Sequence, residues 1–189
     1  KVPRICFVNK MDRAGASFVR SFASIKERLG ANAIAVQLPL GLEDDHKGVI
    51  DLITMQAILF EEEGLGSKFT RTAIPKDVEA EANEWRAKLL EGVADLDDAL
   101  MERYLDGKTD FSEDEIKSAL RKGTLSFKCV PVVTGAAFKN KGVQQLLDAV
   151  VTYLPSPLDI PPVEGVNPNN EKKETRKASD DAPFSALAF

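Results

Sequence analysis

Long hydrophobic runs are missing from this sequence of 189 residues. No apolar stretch approaches the roughly 18 residues that a membrane-spanning helix needs. Cysteine is scarce, with only Cys6 and Cys129 present. Both lie in apolar, strand-like runs, which predicts buried, reduced thiols and a cytosolic compartment rather than a disulfide framework. Clustered positive charge is also lacking. The formal net charge is −5 and the pI about 5.1. That balance argues against a general grip on a phosphate backbone, so no independent nucleic-acid binding is expected. It leaves room for docking on a basic protein. The lone histidine, His46, stands in an acidic turn and reads as a surface residue. No G-x-x-x-x-G-K-[ST] run occurs, so these residues hold no phosphate-cradling P-loop. The opening KVPRICFVNK has one short apolar run and no small-residue cleavage site, so it is not a signal peptide. Both chain ends read as domain-boundary cuts.

What is there is strand–loop–helix punctuation. Ile5 to Val8 predict a buried strand, and Asn9 to Asp12 leave it as a polar loop. Phe18, Phe22, Ile25 and Leu29 mark one helical face, with Gly30 as the C-cap. AIAVQLPLG and HKGVIDLITMQAILF predict short strands, followed by an acidic turn at Glu61 to Gly66. After Pro75, the stripe Val78, Ala82, Trp85, Leu89 and Val93 predicts a helix. Leu96, Leu100 and Tyr104 predict a second one, closed by Asp106-Gly107. Ser112 with Glu115 is a capping box opening a third helix, with Ile116 and Leu120 facing inward. CVPVVTGAA predicts another buried strand and its loop, completed by Lys139 to Gly142. Val143, Leu146, Leu147, Val150 and Val151 form the clearest helical stripe, stopped by Pro155 and Pro157. Residues 155–182 have a linker composition, and PFSALAF at 183–189 predicts a strand.

The two outer strand–loop–helix units predict parallel neighbours in one α/β sheet, with both loops at its C-terminal edge. The first loop reads Asn9-Lys10-Met11-Asp12, an N-K-x-D pattern. Guanine presents N1–H and its 2-amino group as adjacent donors, whereas adenine has neither. A carboxylate at Asp12 can accept both, each charge-assisted bond being worth about 1.5–3 kcal/mol. With adenine it would stay desolvated and unpaired, the arrangement that discriminates by roughly 10⁴-fold or more. Lys10 can lay its aliphatic stem on the base, and Asn9 can tie this loop to another. The second loop, Thr134-Gly135-Ala136-Ala137, offers small residues for close approach and a backbone N–H for guanine O6. Read alone, each loop is also compatible with an ordinary turn.

VPRICFVNKMDRAGASF, KGVIDLITMQAI, GAAFKNKGVQQLLDAVVTYLPSPLDIPP and ASDDAPFSALAF resemble the elongation factor G family of translational GTPases over nearly the whole chain. The resemblance implies the C-terminal part of a Ras-like P-loop NTPase domain. Residues 1–30 and 128–154 would be its partial core, 31–127 an inserted α+β subdomain, 155–182 a linker, and 183–189 the first strand of a β-barrel. It implies nucleotide-binding roles for Asn9, Lys10, Asp12, Ala136 and Ala137. Ala136 stands where the family usually has Ser, which removes a bracing hydroxyl. GTP or GDP would be the ligand, with Mg²⁺ held only by family motifs that precede Asn9. The catalytic histidine would also lie there, so neither a catalytic nor a metal-binding residue is expected in this chain, and the isolated chain should be inactive. The implied partners are the ribosome and its acidic stalk protein, met through the insertion. Its acid-rich helices, with Glu79, Glu81, Glu84 and Glu113 to Glu115, carry charge for a basic partner or simply face solvent. A ribosomal-protection or recycling paralogue is the alternative within this class. A protein-binding module without nucleotide is the alternative outside it. Either a companion segment or an apolar surface left exposed around Ile5, Phe7 and Val132 is also expected, because the two core strands would normally belong to a wider sheet.

Overall fold

The structure, a computed structural model, describes residues 2–61, 68–159, 161–168, 170–184 and 186. Most of the acidic turn and of the terminal apolar strand lies outside the described residues. The chain divides into two compact units, Lys1–Leu154 and Pro155–Phe189.

The first unit opens with β1 (Cys6–Val8) and α1 (Phe18–Leu29). Ser17 caps α1 by accepting the Arg20 N–H, and Gly30 ends it in the left-handed region, φ 57°. Next come β2 (Ala33–Ala35), β3 (Gln37–Leu40), β4 (Gly48–Asp51), β5 (Gln56–Phe60) and β6 (Phe69–Thr72). Three helices follow: α2 (Lys76–Ala94), α3 (Asp98–Leu105) and α4 (Glu113–Leu125). Ser112 and Glu115 form the expected capping box on α4. The chain then returns through β7 (Val130–Thr134) to α5 (Val143–Tyr153).

The strands form two sheets in this unit. One is parallel, ordered β1-β7-β2, with β7 in the centre. The other is the antiparallel meander β3-β4-β5-β6. The first sheet has the parallel pairing that the repeated strand–loop–helix units predict. It also includes β2, which pairs with β7 from within residues 31–127. Val36 joins the two sheets: its N–H donates to Val132 O at 2.9 Å, and its carbonyl accepts from Leu52 N–H at 3.0 Å.

Burial follows the α2 stripe closely: Ala82, Trp85, Leu89 and Val93 are buried. Phe18 and Phe22 meet Trp85 edge-on at centroid distances of 5.6 and 5.2 Å, which fastens α1 to α2. Ile116 and Leu120 are fully buried on α4, each contributing about 1.5–3 kcal/mol. Arg121 on α4 donates to the Thr152 and Leu154 carbonyls, satisfying acceptors at the end of α5.

Two expectations need correction. Val132 is not exposed. It is fully buried, because β7 is flanked on both sides, while Ile5 and Phe7 are half-buried. Helix α5 forms where its stripe predicts it, but three residues of the stripe face outward. Gln145, Ala149 and Tyr153 are buried, while Leu147, Val150 and Val151 are exposed. The contact of α5 with α4 and β7 selects the more polar side of the helix. Nor is His46 a surface residue. It is 2% exposed, because the turn carrying it folds under the parallel sheet's loop edge.

The second unit contains an antiparallel hairpin, β8 (Val163–Val166) and β9 (Lys173–Arg176). Its composition suggests only a linker. Asn167 and Glu174 brace it by a side-chain hydrogen bond of 2.7 Å.

Candidate functional site

β1 and β7 end level with one another, Val8 pairing with Thr134. The loops that follow therefore leave the sheet side by side. Thr134 Oγ1 and Gly135 N both donate to the Val8 carbonyl, at 3.0 and 3.1 Å, locking the two strand ends.

Asn9 links the loops. Its Oδ1 accepts from Lys10 N–H at 2.8 Å and from Ala137 N–H at 3.0 Å. The Ala137 N–H that would meet a base oxygen is thus already donated to Asn9. Lys10 is exposed and left-handed, with φ 64°, and its carbonyl accepts from Arg13 N–H at 3.1 Å. Ala136 is 1% exposed, so neither its side chain nor its backbone faces outward. Its N–H donates to Lys141 O at 2.9 Å and its carbonyl accepts from Lys141 N–H at 3.2 Å. This backbone bridge braces the loop where the hydroxyl is absent.

Asp12 is the acid of the first loop. Its side chain is 11% exposed, and Oδ2 lies 3.3 Å from Lys139 Nζ. Burial pushes the carboxyl's pKa up. The Lys139 hydrogen bond, Asp12's own backbone, and the charges of Lys139 and Arg13 outweigh that and hold it below the usual value. Asp12 is therefore an ionised acceptor at neutral pH. The sequence reading brings Asn9, Lys10, Asp12, Ala136 and Ala137 to one edge, and the structure places them there. It adds Lys139, which the motif reading passed over. No local signal could have found it, because its partner lies across two strand ends that only the fold aligns.

His46 also belongs to this edge. Its Nδ1 lies 3.2 Å from Gly41 O and its carbonyl accepts from Lys141 Nζ at 2.7 Å. Nε2 is buried without a protein partner. Burial pushes its pKa below the ordinary value. The Gly41 contact opposes this, Lys141 reinforces it, and the smaller effects of Asp12, upward, and Lys139, downward, oppose each other. Among the described residues, no group of three or more His, Cys, Asp or Glu side chains could hold a metal ion. No helix among them is long and apolar enough to cross a membrane. Glu79, Glu81 and Glu84 are exposed on α2. Glu84 pairs with Lys88, and on α4 Glu113 pairs with Lys117.

Comparison with known proteins agrees with this architecture. A crystal structure from Thermus thermophilus superposes with a TM-score of 0.72 over 85% of this chain and 24% of its own, at 23% sequence identity. That likeness concerns the fold. Elongation factor G of Amoebophilus asiaticus (strain 5a2) is 52% identical over the whole chain. The chain spans 27% of that relative's length. The model of the Elongation factor Tu GTP binding domain matches residues 1–156. With its parallel sheet and helices, the chain is a portion of a Ras-like P-loop GTPase domain and belongs to the Elongation factor Tu GTP binding domain family, with an elongation factor G among its relatives.

Proposed function

We propose that this chain supplies the guanine-reading part of a ribosomal translocation factor that hydrolyses GTP. The observation that supports this most is the ionised, shielded Asp12 carboxylate, set between two loops that Asn9 holds together. Guanine N1–H and the 2-amino group fit such an acceptor, and O6 shares the Ala137 N–H with Asn9. The Lys10 stem covers one face of the base. Ala136 contributes through its backbone bridge rather than through a side chain.

Magnesium and the phosphates are assigned to family motifs outside these residues, as the resemblance implies, and the isolated chain is expected to be inactive. Ribosome binding, with the large-subunit stalk protein met through the insertion, and a cytoplasmic location belong to the same proposal. A ribosomal-protection or recycling factor would use the same base pocket. A nucleotide-free protein-binding module would not need an ionised acceptor between these loops.

The test is Asp12→Asn in the full-length protein, with binding measured for guanosine and xanthosine diphosphates. Guanine affinity should fall by about 10- to 100-fold, the worth of one charge-assisted bond or more. Xanthine affinity should rise, because its 2-oxo group can accept from the new amide. An unchanged preference for guanine would remove Asp12 from the role.

A further inference from the structure

Three loops close on one another at the base-reading edge. Met11 N–H donates to Gly135 O at 3.2 Å, tying the first loop to the second. Lys141 Nζ, on a residue only 9% exposed, donates to His46 O and ties the second loop to the turn at 41–47. That turn binds back to the first loop twice. Glu43 N–H donates to Met11 O at 2.8 Å, and Glu43 Oε1 accepts from Gly15 N–H at 2.6 Å. Met11, directly before Asp12, thus has its N–H and its carbonyl held by different loops.

The turn is not a loose one. Glu43 sits at φ 56°, a left-handed conformation that a non-glycine residue adopts at a cost. Gly41, at φ 75°, has no room for a side chain, since a Cβ there would stand 2.0 Å from Asp45 O.

We infer that Glu43 is a positioning residue for base recognition, so that the segment between the two base-reading loops supplies part of the frame that aims Asp12. This rests on the reading of Asp12 as the guanine acceptor. Two adjacent donors on a flat base require a carboxylate fixed in angle as well as in place. Glu43 anchors the backbone on both sides of Asp12, at Met11 and at Gly15. Without its carboxylate the Gly15 anchor is lost, and Asp12 keeps its charge but not its aim.

The test compares Glu43→Ala and Glu43→Gln with wild type in the full-length protein, using guanosine diphosphate and inosine diphosphate. Inosine keeps N1–H and lacks the 2-amino group, so the ratio of the two dissociation constants reports two-donor recognition. Loss of folded protein scales both affinities alike and leaves the ratio unchanged. Glu43→Ala should lower the guanine preference by about tenfold. Glu43→Gln, which retains an oxygen for Gly15, should keep it within about threefold of wild type. A preference unchanged in Glu43→Ala, or lost equally in both variants, overturns the inference while leaving Asp12 in place. Absence of any guanine preference in wild type removes the base reading and the inference together.

Discussion

Asn9 and Ala137 stand 128 positions apart in the chain and are joined by one hydrogen bond of 3.0 Å. The same Asn9 oxygen accepts from Lys10 N–H, so a single amide side chain holds the ends of two loops. Replacing it with alanine leaves two backbone donors to solvent. Because the site is exposed, the cost should be near the lower limit for a lost hydrogen bond, about 1 kcal/mol. Amide exchange at Lys10 and Ala137 should accelerate in Asn9→Ala and remain slow in Asn9→Asp, which keeps an oxygen acceptor. Equal exchange in both variants would mean that the strand pairing alone sets the loop spacing.

Lys139 and Asp12 make a second link across the same two loops. The folded Asp12 carboxyl has a pKa below its unfolded value. Its contribution to stability is therefore present above the unfolded pKa, about 3.9, and is lost as pH falls through the folded value. Lys139→Met should move the Asp12 titration upward and shrink that acid-sensitive contribution. Carboxyl-resolved NMR titration measures this directly, and an unmoved Asp12 midpoint would show that its backbone and Arg13 set the charge state.

The elements that were legible are those whose signals are local. The helix from Phe18 to Gly30 has a regular stripe and a glycine cap, and the α4 capping box spans four residues. The pairing of β1 with β7 was also legible, because the two strand–loop–helix units share one form. What local pattern could not give was the burial of His46. An acidic neighbourhood suggests solvent, but Lys141, 95 residues away, draws that turn inward. The α5 stripe located its helix but not the face that packs. Periodicity identifies an amphipathic helix but not which neighbour it meets, and here contact with α4 and β7 selects Gln145, Ala149 and Tyr153. The β8–β9 hairpin carries polar and charged residues on largely exposed strands, so hydrophobic alternation gave no signal. Lys139 and Glu43 were invisible as site residues because their partners lie in loops that only the fold assembles.

His46 provides a pH-dependent signal that can be assigned cleanly, since no other histidine is present. Burial lowers its folded pKa below the ordinary value of about 6.5. Between the two values the unfolded chain binds more protons, so stability falls as pH drops below about 6.5 and levels off beneath the folded pKa. Asp12 opposes the shift, while Lys141 and Lys139 reinforce it. His46→Asn keeps a donor for the Gly41 carbonyl and has nothing to titrate. Denaturation midpoints from about pH 5 to about pH 7 should slope in wild type and flatten in this variant. A slope surviving in His46→Asn would assign it to other groups.

Gly135 and Gly15 separate close packing from backbone conformation within one site. At Gly135 a Cβ would stand 2.2 Å from the Lys141 carbonyl and 3.0 Å from Phe7 Cζ. The first contact is with backbone, so Gly135→Ala must displace the Ala136–Lys141 bridge. Overpacking of this kind costs about 1–3 kcal/mol. At Gly15 nothing lies within 4 Å, and the only penalty is its φ of 76°, about 1 kcal/mol. Gly135→Ala should therefore lower the melting temperature more than Gly15→Ala. It alone should speed amide exchange at Ala136, whose N–H donates to the Lys141 carbonyl. If the two variants melted alike and Ala136 stayed protected, the loop would be accommodating a methyl group that its geometry leaves no space for.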